Sequence, residues 1–126
     1  MTSLSRALTA AIVLAACTGG DGAPTRTTAL LSAADSLYAR GSYDSAAAVW
    51  HRTLESPGTR GSPDEARLIG NLALVAYRRT DYATARRLGD SALVLKERHR
   101  LPPRELAESR ITLGLIAWNT GREVAA

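Results

Sequence analysis

One helix–turn–helix pattern recurs along this chain of 126 residues and constrains its fold more than any other feature. In its first copy, from Ala33 to Trp50, small and apolar residues return every three or four positions, the spacing of one helix face. Gly41 interrupts this spacing and can adopt the left-handed conformation that ends a helix. Because one helix pair leaves its apolar face open, such pairs must stack on one another. The sequence therefore predicts an all-α fold of stacked antiparallel helix pairs.

Periodicity and helix-ending residues predict five helices after the N-terminal region. They are expected at about 27–40, 43–55, 63–79, 82–99 and 103–119. Ser62-Pro63 is the strongest helix start, because Ser62 can cap the helix and Glu65 can complete a capping box. Asp81 can cap the fourth helix. Thr120-Gly121 is expected to repeat the first turn, which leaves only the beginning of a sixth helix.

Packing residues at matched positions in three copies resemble the tetratricopeptide repeat family. The matches are Leu30, Ala33, Ala34, Leu37, Ala46 and Trp50; Ile69, Leu72, Ala73, Ala76 and Ala85; and Leu113, Gly114, Ala117 and Gly121. Gly89, Arg110 and Thr80 depart from the family pattern. The period exceeds the usual length of about 34 residues, as in the variant found in kinesin light chains. The resemblance implies an α-solenoid over 27–126, with repeats at about 27–61, 62–101 and an incomplete 102–126.

Residues 1–16 are typical of a secretory signal peptide, expected as an additional N-terminal helix, with Arg6 before a short apolar run. Leu14-Ala15-Ala16-Cys17 resembles the lipobox of bacterial lipoproteins, in which the signal is removed and the cysteine is acylated. An ordinary cleaved signal with an incidental cysteine is the alternative. Residues 17–26 are expected to form a flexible tether. The resemblance implies lipid anchoring of Cys17 in the bacterial cell envelope, and Thr18 favours the outer over the inner membrane.

In the tetratricopeptide family, the first helix of each pair lines a concave groove that binds a peptide or helix. The matching residues here are Asp35, Tyr38, Asn71, Leu74, Tyr77, Arg78, Thr112, Leu115, Trp118 and Asn119. Tyr38, Tyr77 and Trp118 would supply one aromatic ring for each repeat. These rings either anchor a protein partner or pack between adjacent repeats, and the sequence leaves both alternatives open.

Neither a catalytic nor a metal-binding pattern accompanies the repeats. The only cysteine is Cys17, and His51 and His99 lie far from other ligand-type residues, so neither metal, cofactor nor enzyme activity is expected. The net charge of +4 comes mainly from arginine clusters, interpreted as solvated helix ends rather than as a surface for an acidic partner. Nucleic acid is not expected as a partner of a secreted chain.

These features favour a membrane-tethered scaffold that binds a protein or peptide at the cell envelope. The alternative is that the repeats are the sensing part of a longer enzyme, peptidase-like or kinase, whose catalytic domain lies elsewhere. The fifth helix is apolar on several sides, with Ile111, Leu115 and Trp118 among its residues. Self-association through this C-terminal helix is therefore a further hypothesis.

Overall fold

The structure, a computed structural model, describes residues 26–125. This range contains five helices: α1 (Arg26–Ala39), α2 (Tyr43–Leu54), α3 (Pro63–Arg78), α4 (Tyr82–Arg98) and α5 (Pro103–Ala125). Strands are absent from this range, so the all-α prediction is confirmed for it. The predicted signal segment, Cys17 and nearly all of the tether lie outside the described residues.

The start of α3 is stabilised differently from the predicted capping box. The Ser62 hydroxyl does not cap the helix; it donates to the carbonyl oxygen of Thr59 at 2.6 Å. The Glu65 carboxylate accepts from the backbone N–H of Gly61 at 2.6 Å, one residue earlier than the capping box requires. Both side chains therefore fasten the preceding loop to the helix.

Three helices end in the same hydrogen-bonded turn. After α1, Gly41 has a φ of 82°, and the N–H of Ser42 donates to the carbonyl of Leu37 at 2.9 Å. Thr80 after α3 and Arg100 after α4 take the same left-handed position, with φ of 60° and 54°. The N–H groups of the next residues donate five positions back, at 2.9 and 3.0 Å. These are Schellman-type ends, although only the first uses glycine.

The expected turn at Thr120-Gly121 is wrong, because α5 continues without interruption to Ala125. The Thr120 hydroxyl donates to the carbonyl of Ile116 at 2.8 Å, as threonine does inside a helix. Gly121 does not have a positive φ, so the conformation that ends α1 at Gly41 is not repeated there. The chain therefore has one long fifth helix where the sequence predicted a turn.

Consecutive helices pack on each other along the chain, and α3 also contacts α5. The larger core cluster joins α1, α2 and α3, and its buried residues are Ala34, Ala46, Ala47, Trp50, Leu68, Leu72 and Val75. Trp50 is only 2% exposed. A second cluster joins α3, α4 and α5 through Ala76, Ala85 and Ile116. Alanines thus form much of the core, together with a few large side chains that include Trp50, Leu68 and Ile116.

Gly89 shows why the second helix pair lacks the aromatic residue of the first. It occupies the position in α4 that Trp50 occupies in α2. A β-carbon at position 89 would lie 2.9 Å from Cδ2 of Leu113 in α5, which is too close for an ordinary contact. At this position α4 therefore packs against Leu113 of α5, where α2 has the aromatic ring of Trp50.

We expect Thr80→Gly to raise the free energy of unfolding by about 1 kcal/mol, because the left-handed conformation would no longer crowd a β-carbon. The complementary change Gly41→Thr should lower it by roughly 1–2 kcal/mol at the matching position. Urea denaturation followed by circular dichroism measures both changes. Equal effects of the same sign would contradict the equivalence of the two turns.

Candidate functional site

The ten residues predicted to line a groove lie on α1, α3 and α5, the first helix of each predicted pair. Six of them are half-buried, namely Tyr38, Asn71, Leu74, Tyr77, Thr112 and Asn119. Asp35, Arg78, Leu115 and Trp118 are exposed, and Trp118 is the most open of the large apolar side chains at 67%. Each of the three helices therefore offers groove residues to solvent.

Two matching hydrogen bonds connect these helices. Nε of Arg78 donates to the hydroxyl of Tyr38 at 3.1 Å, across 40 residues of sequence. Nδ2 of Asn119 donates to the hydroxyl of Tyr77 at 3.1 Å, across 42 residues. Arg78 directly follows Tyr77 in the sequence, and Asn119 directly follows Trp118. Each tyrosine hydroxyl therefore accepts from the residue that comes directly after the aromatic residue on the next of these three helices. The structure thus brings these four predicted groove residues together in two equivalent pairs.

The tyrosine rings pack within their own helix pairs. The Tyr38 ring lies 5.2 Å from that of Tyr43 and 5.9 Å from that of Trp50, between ring centroids. The Tyr77 ring lies 5.8 Å from that of Tyr82 in the same tilted manner. Within residues 26–125, the rings of the predicted ladder do not contact one another. Both tyrosines thus join the first helix of a pair to the second, while Trp118 stays open to solvent.

A small cavity of about 70 Å³ lies between α3, α4 and α5. It brings together three predicted groove residues, Asn71, Leu74 and Thr112, with Gly89 and Lys96 also in its lining. Pockets that enclose a small-molecule ligand are usually about 300–1,000 Å³. This cavity suits a single side chain or a few water molecules, and it does not suit an enclosed cofactor.

A partly buried polar cluster beside the cavity contains residues that sequence reasoning missed. Lys96 is only 7% exposed, and its Nζ donates to Oγ of Ser109 at 2.9 Å. The same amine approaches the carbonyl oxygen of Glu105 at 3.4 Å. The Glu105 carboxylate accepts from Nε and Nη2 of Arg67 at 2.9 and 3.0 Å. Side chains from α3, α4 and α5 therefore meet in one hydrogen-bonded network.

The charges of this network are shifted by their surroundings. Burial lowers the pKa of the Lys96 amine, and the nearby carboxylates of Glu105 and Glu108 oppose that shift only in part. The hydrogen bond from Arg67 lowers the pKa of Glu105. A sequence signal for Lys96 exists, because it continues the small-residue face of α4 at helical spacing after Gly89 and Ala92. A lysine at the end of such a face is placed to extend its stem along the core.

The remaining candidate residues are the two histidines and the clustered arginines. His51 is exposed and His99 is half-buried. Between residues 26 and 125, the structure contains no group of three or more ligand-type side chains placed to hold a metal ion. Among the clustered arginines, Arg79 pairs with Asp44, and Nε of Arg104 lies 3.1 Å from the Glu108 carboxylate. These exposed pairs fit the interpretation of the clusters as solvated surface.

Within the described range, none of the helices is both long and apolar enough to cross a bilayer. Comparisons of the chain with protein-family models, curated proteins and solved structures find no match. The function is therefore inferred from the chain's own residues and their geometry.

We expect the free energy of unfolding of the wild type, relative to that of Lys96→Met, to rise as the pH increases from neutral toward the ordinary lysine pKa. Because burial lowers the pKa of Lys96, the unfolded chain binds more protons than the folded one in this window. Each unit of pKa difference would contribute about 1.4 kcal/mol. Urea denaturation across this pH range provides the measurement.

Arg98→Met, at an exposed position on the same helix, is the matched control and should retain the wild-type pH dependence. If Lys96→Met and the wild type show parallel pH profiles, the buried amine does not titrate as described.

Proposed function

We propose that this protein is a lipid-anchored α-solenoid of tetratricopeptide-like helix pairs that holds a peptide or helix of a partner protein at the bacterial cell envelope. The observation that supports it best is the repeated hydrogen bond between first helices, Arg78 to Tyr38 and Asn119 to Tyr77. A similar bond from α3 to α1 and from α5 to α3 is what a repeat architecture would produce. A surface that extends over all three helices can follow a long, narrow ligand.

The side chains on this surface suit a peptide ligand. Trp118 offers a large, exposed ring, and aromatic rings of this kind are frequent anchors in protein interfaces. The amide of Asn71 can bond to a peptide backbone, and the amide oxygen of Asn119 can accept from one, since its Nδ2 already donates to Tyr77 and Leu115. Asp35 and Arg78 add charges of opposite sign near the other end of the surface, and partial burial raises the pKa of the Asp35 carboxyl. An amphipathic helix or an extended segment with an apolar residue near Trp118 fits this arrangement.

The N-terminal sequence supports attachment of this surface to a membrane. Cys17 follows Leu14-Ala15-Ala16, the order of residues in a lipobox. More than one acyl chain gives stable anchoring, whereas a single chain binds membranes only marginally. The Gly-rich tether that follows can extend by at most about 3.5 Å per residue, which keeps the helices within a few tens of ångströms of the membrane. The outer membrane is the proposed location.

For the groove, we expect Leu74→Glu to reduce capture of the bound protein from envelope extract at least tenfold, because it places a charge in the middle of the surface. Val94→Glu is the matched control, since Val94 is an exposed apolar residue on α4, outside the proposed surface. Affinity capture with quantitative mass spectrometry measures both. Equal loss in the two variants, or no specific loss in Leu74→Glu, would contradict binding in this groove.

For the anchor, we expect Cys17→Ser to move most of the protein from the membrane fraction to the soluble fraction, because the acylated sulfur is removed. Fractionation of cells followed by mass spectrometry of the N-terminal peptide gives the measurement. Thr18→Ser leaves the cysteine in place and should retain membrane association. Unchanged fractionation of Cys17→Ser would contradict lipid attachment.

A further inference from the structure

An exposed apolar stripe runs along α5. Ile111, Leu115 and Trp118 follow one another at steps of four and three residues and are 63%, 46% and 67% exposed. These steps place the three side chains on one face of the helix. On the opposite face, Ile116 is 1% exposed and belongs to the core with α3 and α4. The helix therefore has one apolar face that packs inside the molecule and one that the molecule leaves open.

The two ends of this stripe carry opposite charges. Glu108 and Arg122 lie on the same face, two helical turns before and two after Leu115. Both side chains are exposed, although Glu108 also accepts a hydrogen bond from Arg104 on its own helix. Along this face Glu108, the three apolar residues and Arg122 follow in order with Leu115 at the centre, and the exposed Arg104 lies one turn before Glu108. Such an order is complementary to itself when it is reversed.

We propose that the stripe binds the stripe of a second copy, with the two α5 helices antiparallel about a two-fold axis at Leu115. In this arrangement Leu115 packs on the partner's Leu115, and Ile111 lies near the partner's Trp118. Glu108 faces the partner's Arg122 at both ends of the interface, since a two-fold axis repeats each contact. A parallel pair would instead bring like charges together, which is unfavourable. The charge order therefore selects the antiparallel dimer.

Small residues beside the stripe support a close approach of two helices. Ala107, Gly114 and Gly121 are exposed and recur every two turns along its flank. Glycine weakens a helix interior relative to alanine. Nevertheless, a β-carbon at position 114 or 121 would meet nothing within 4 Å among the described residues, so packing within that range does not require glycine there. A second helix against this flank gives a reason for it, because interhelical distance depends on the side chains at the contact.

The contact is small, and the dimer is expected to be weak. One helix pair with three apolar residues from each copy lies below the area of a standard stable interface, about 800 Å² per partner. Such contacts belong to the transient class, with dissociation constants in the micromolar range. The stripe shares Leu115 and Trp118 with the proposed groove, whereas Ile111, Glu108 and Arg122 lie outside it, so variants at these three positions test the dimer separately from the proposed partner-binding function.

Charge exchange tests the antiparallel dimer directly. Sedimentation of the full 126-residue chain across the micromolar range should show a monomer–dimer equilibrium. Glu108→Arg and Arg122→Glu should each weaken self-association roughly tenfold, because both end contacts become repulsive. An equimolar mixture of the two variants should restore association, since every Glu108→Arg chain then finds two complementary contacts on an Arg122→Glu chain.

Two apolar variants provide the control. Ile111→Asp should abolish self-association, whereas Val94→Asp, a comparably exposed apolar position on α4, should leave it unchanged. Circular dichroism confirms that each variant remains helical. A wild type that stays monomeric throughout, or a dimer indifferent to both charge exchanges, would overturn the proposal. Loss of dimer in Ile111→Asp with capture of the groove ligand intact would show that dimerisation can be lost without loss of the proposed partner binding.

Discussion

The burial of α3 on two sides is the constraint on which the rest of the structure depends. Its buried residues are Ala66, Leu68, Leu72, Ala73, Val75 and Ala76. Leu68, Leu72 and Val75 pack with Trp50 in the cluster shared with α1 and α2, while Ala76 joins the cluster shared with α4 and α5. A helix with a single apolar face can pack against neighbouring helices on one side only. Because α3 has two, the helices before it and after it are held in one body.

The interface between α4 and α5 lacks a counterpart of Trp50. The two helices instead lie close together and are joined by a hydrogen bond between polar side chains. Gly89 allows Leu113 to lie against the backbone of α4, and Lys96 reaches across the same interface to Ser109. A buried amine without partners would be costly, but this one has a hydroxyl and a carbonyl oxygen within reach. Glu105, bonded to Arg67, completes the connection from α5 back to α3. The network therefore helps to fix the orientation of α5 relative to α3 and α4, where few large apolar side chains pack between the helices.

The sequence was sufficient for the helices, because their positions follow from local periodicity and helix-ending residues. It was insufficient at Gly121, where the expectation of a turn came from similarity to Gly41. A glycine can end a helix but does not have to, since the turn also needs packing after it. The left-handed Arg100 had no local signal at all.

The Lys96 network depends on residues from three helices, and no spacing within one helix reveals such a contact. The groove residues came from a family resemblance, so their placement on three first helices agrees with the expectation without testing ligand binding.

The proposed groove and the proposed dimer share Leu115 and Trp118, and this overlap has a thermodynamic consequence. A ligand that covers Trp118 cannot be bound while the partner's Ile111 lies there, so ligand binding and dimerisation oppose each other. Linkage is reciprocal, and each lowers the apparent affinity of the other by the same factor. A shorter ligand confined to α1 and α3, near Asp35 and Asn71, escapes this competition. The dimer would then present two ligand-filled surfaces related by a two-fold axis, which favours a bivalent partner through effective concentration. If both proposals hold, the length of the bound segment would determine whether the protein binds its ligand as a monomer or as a dimer.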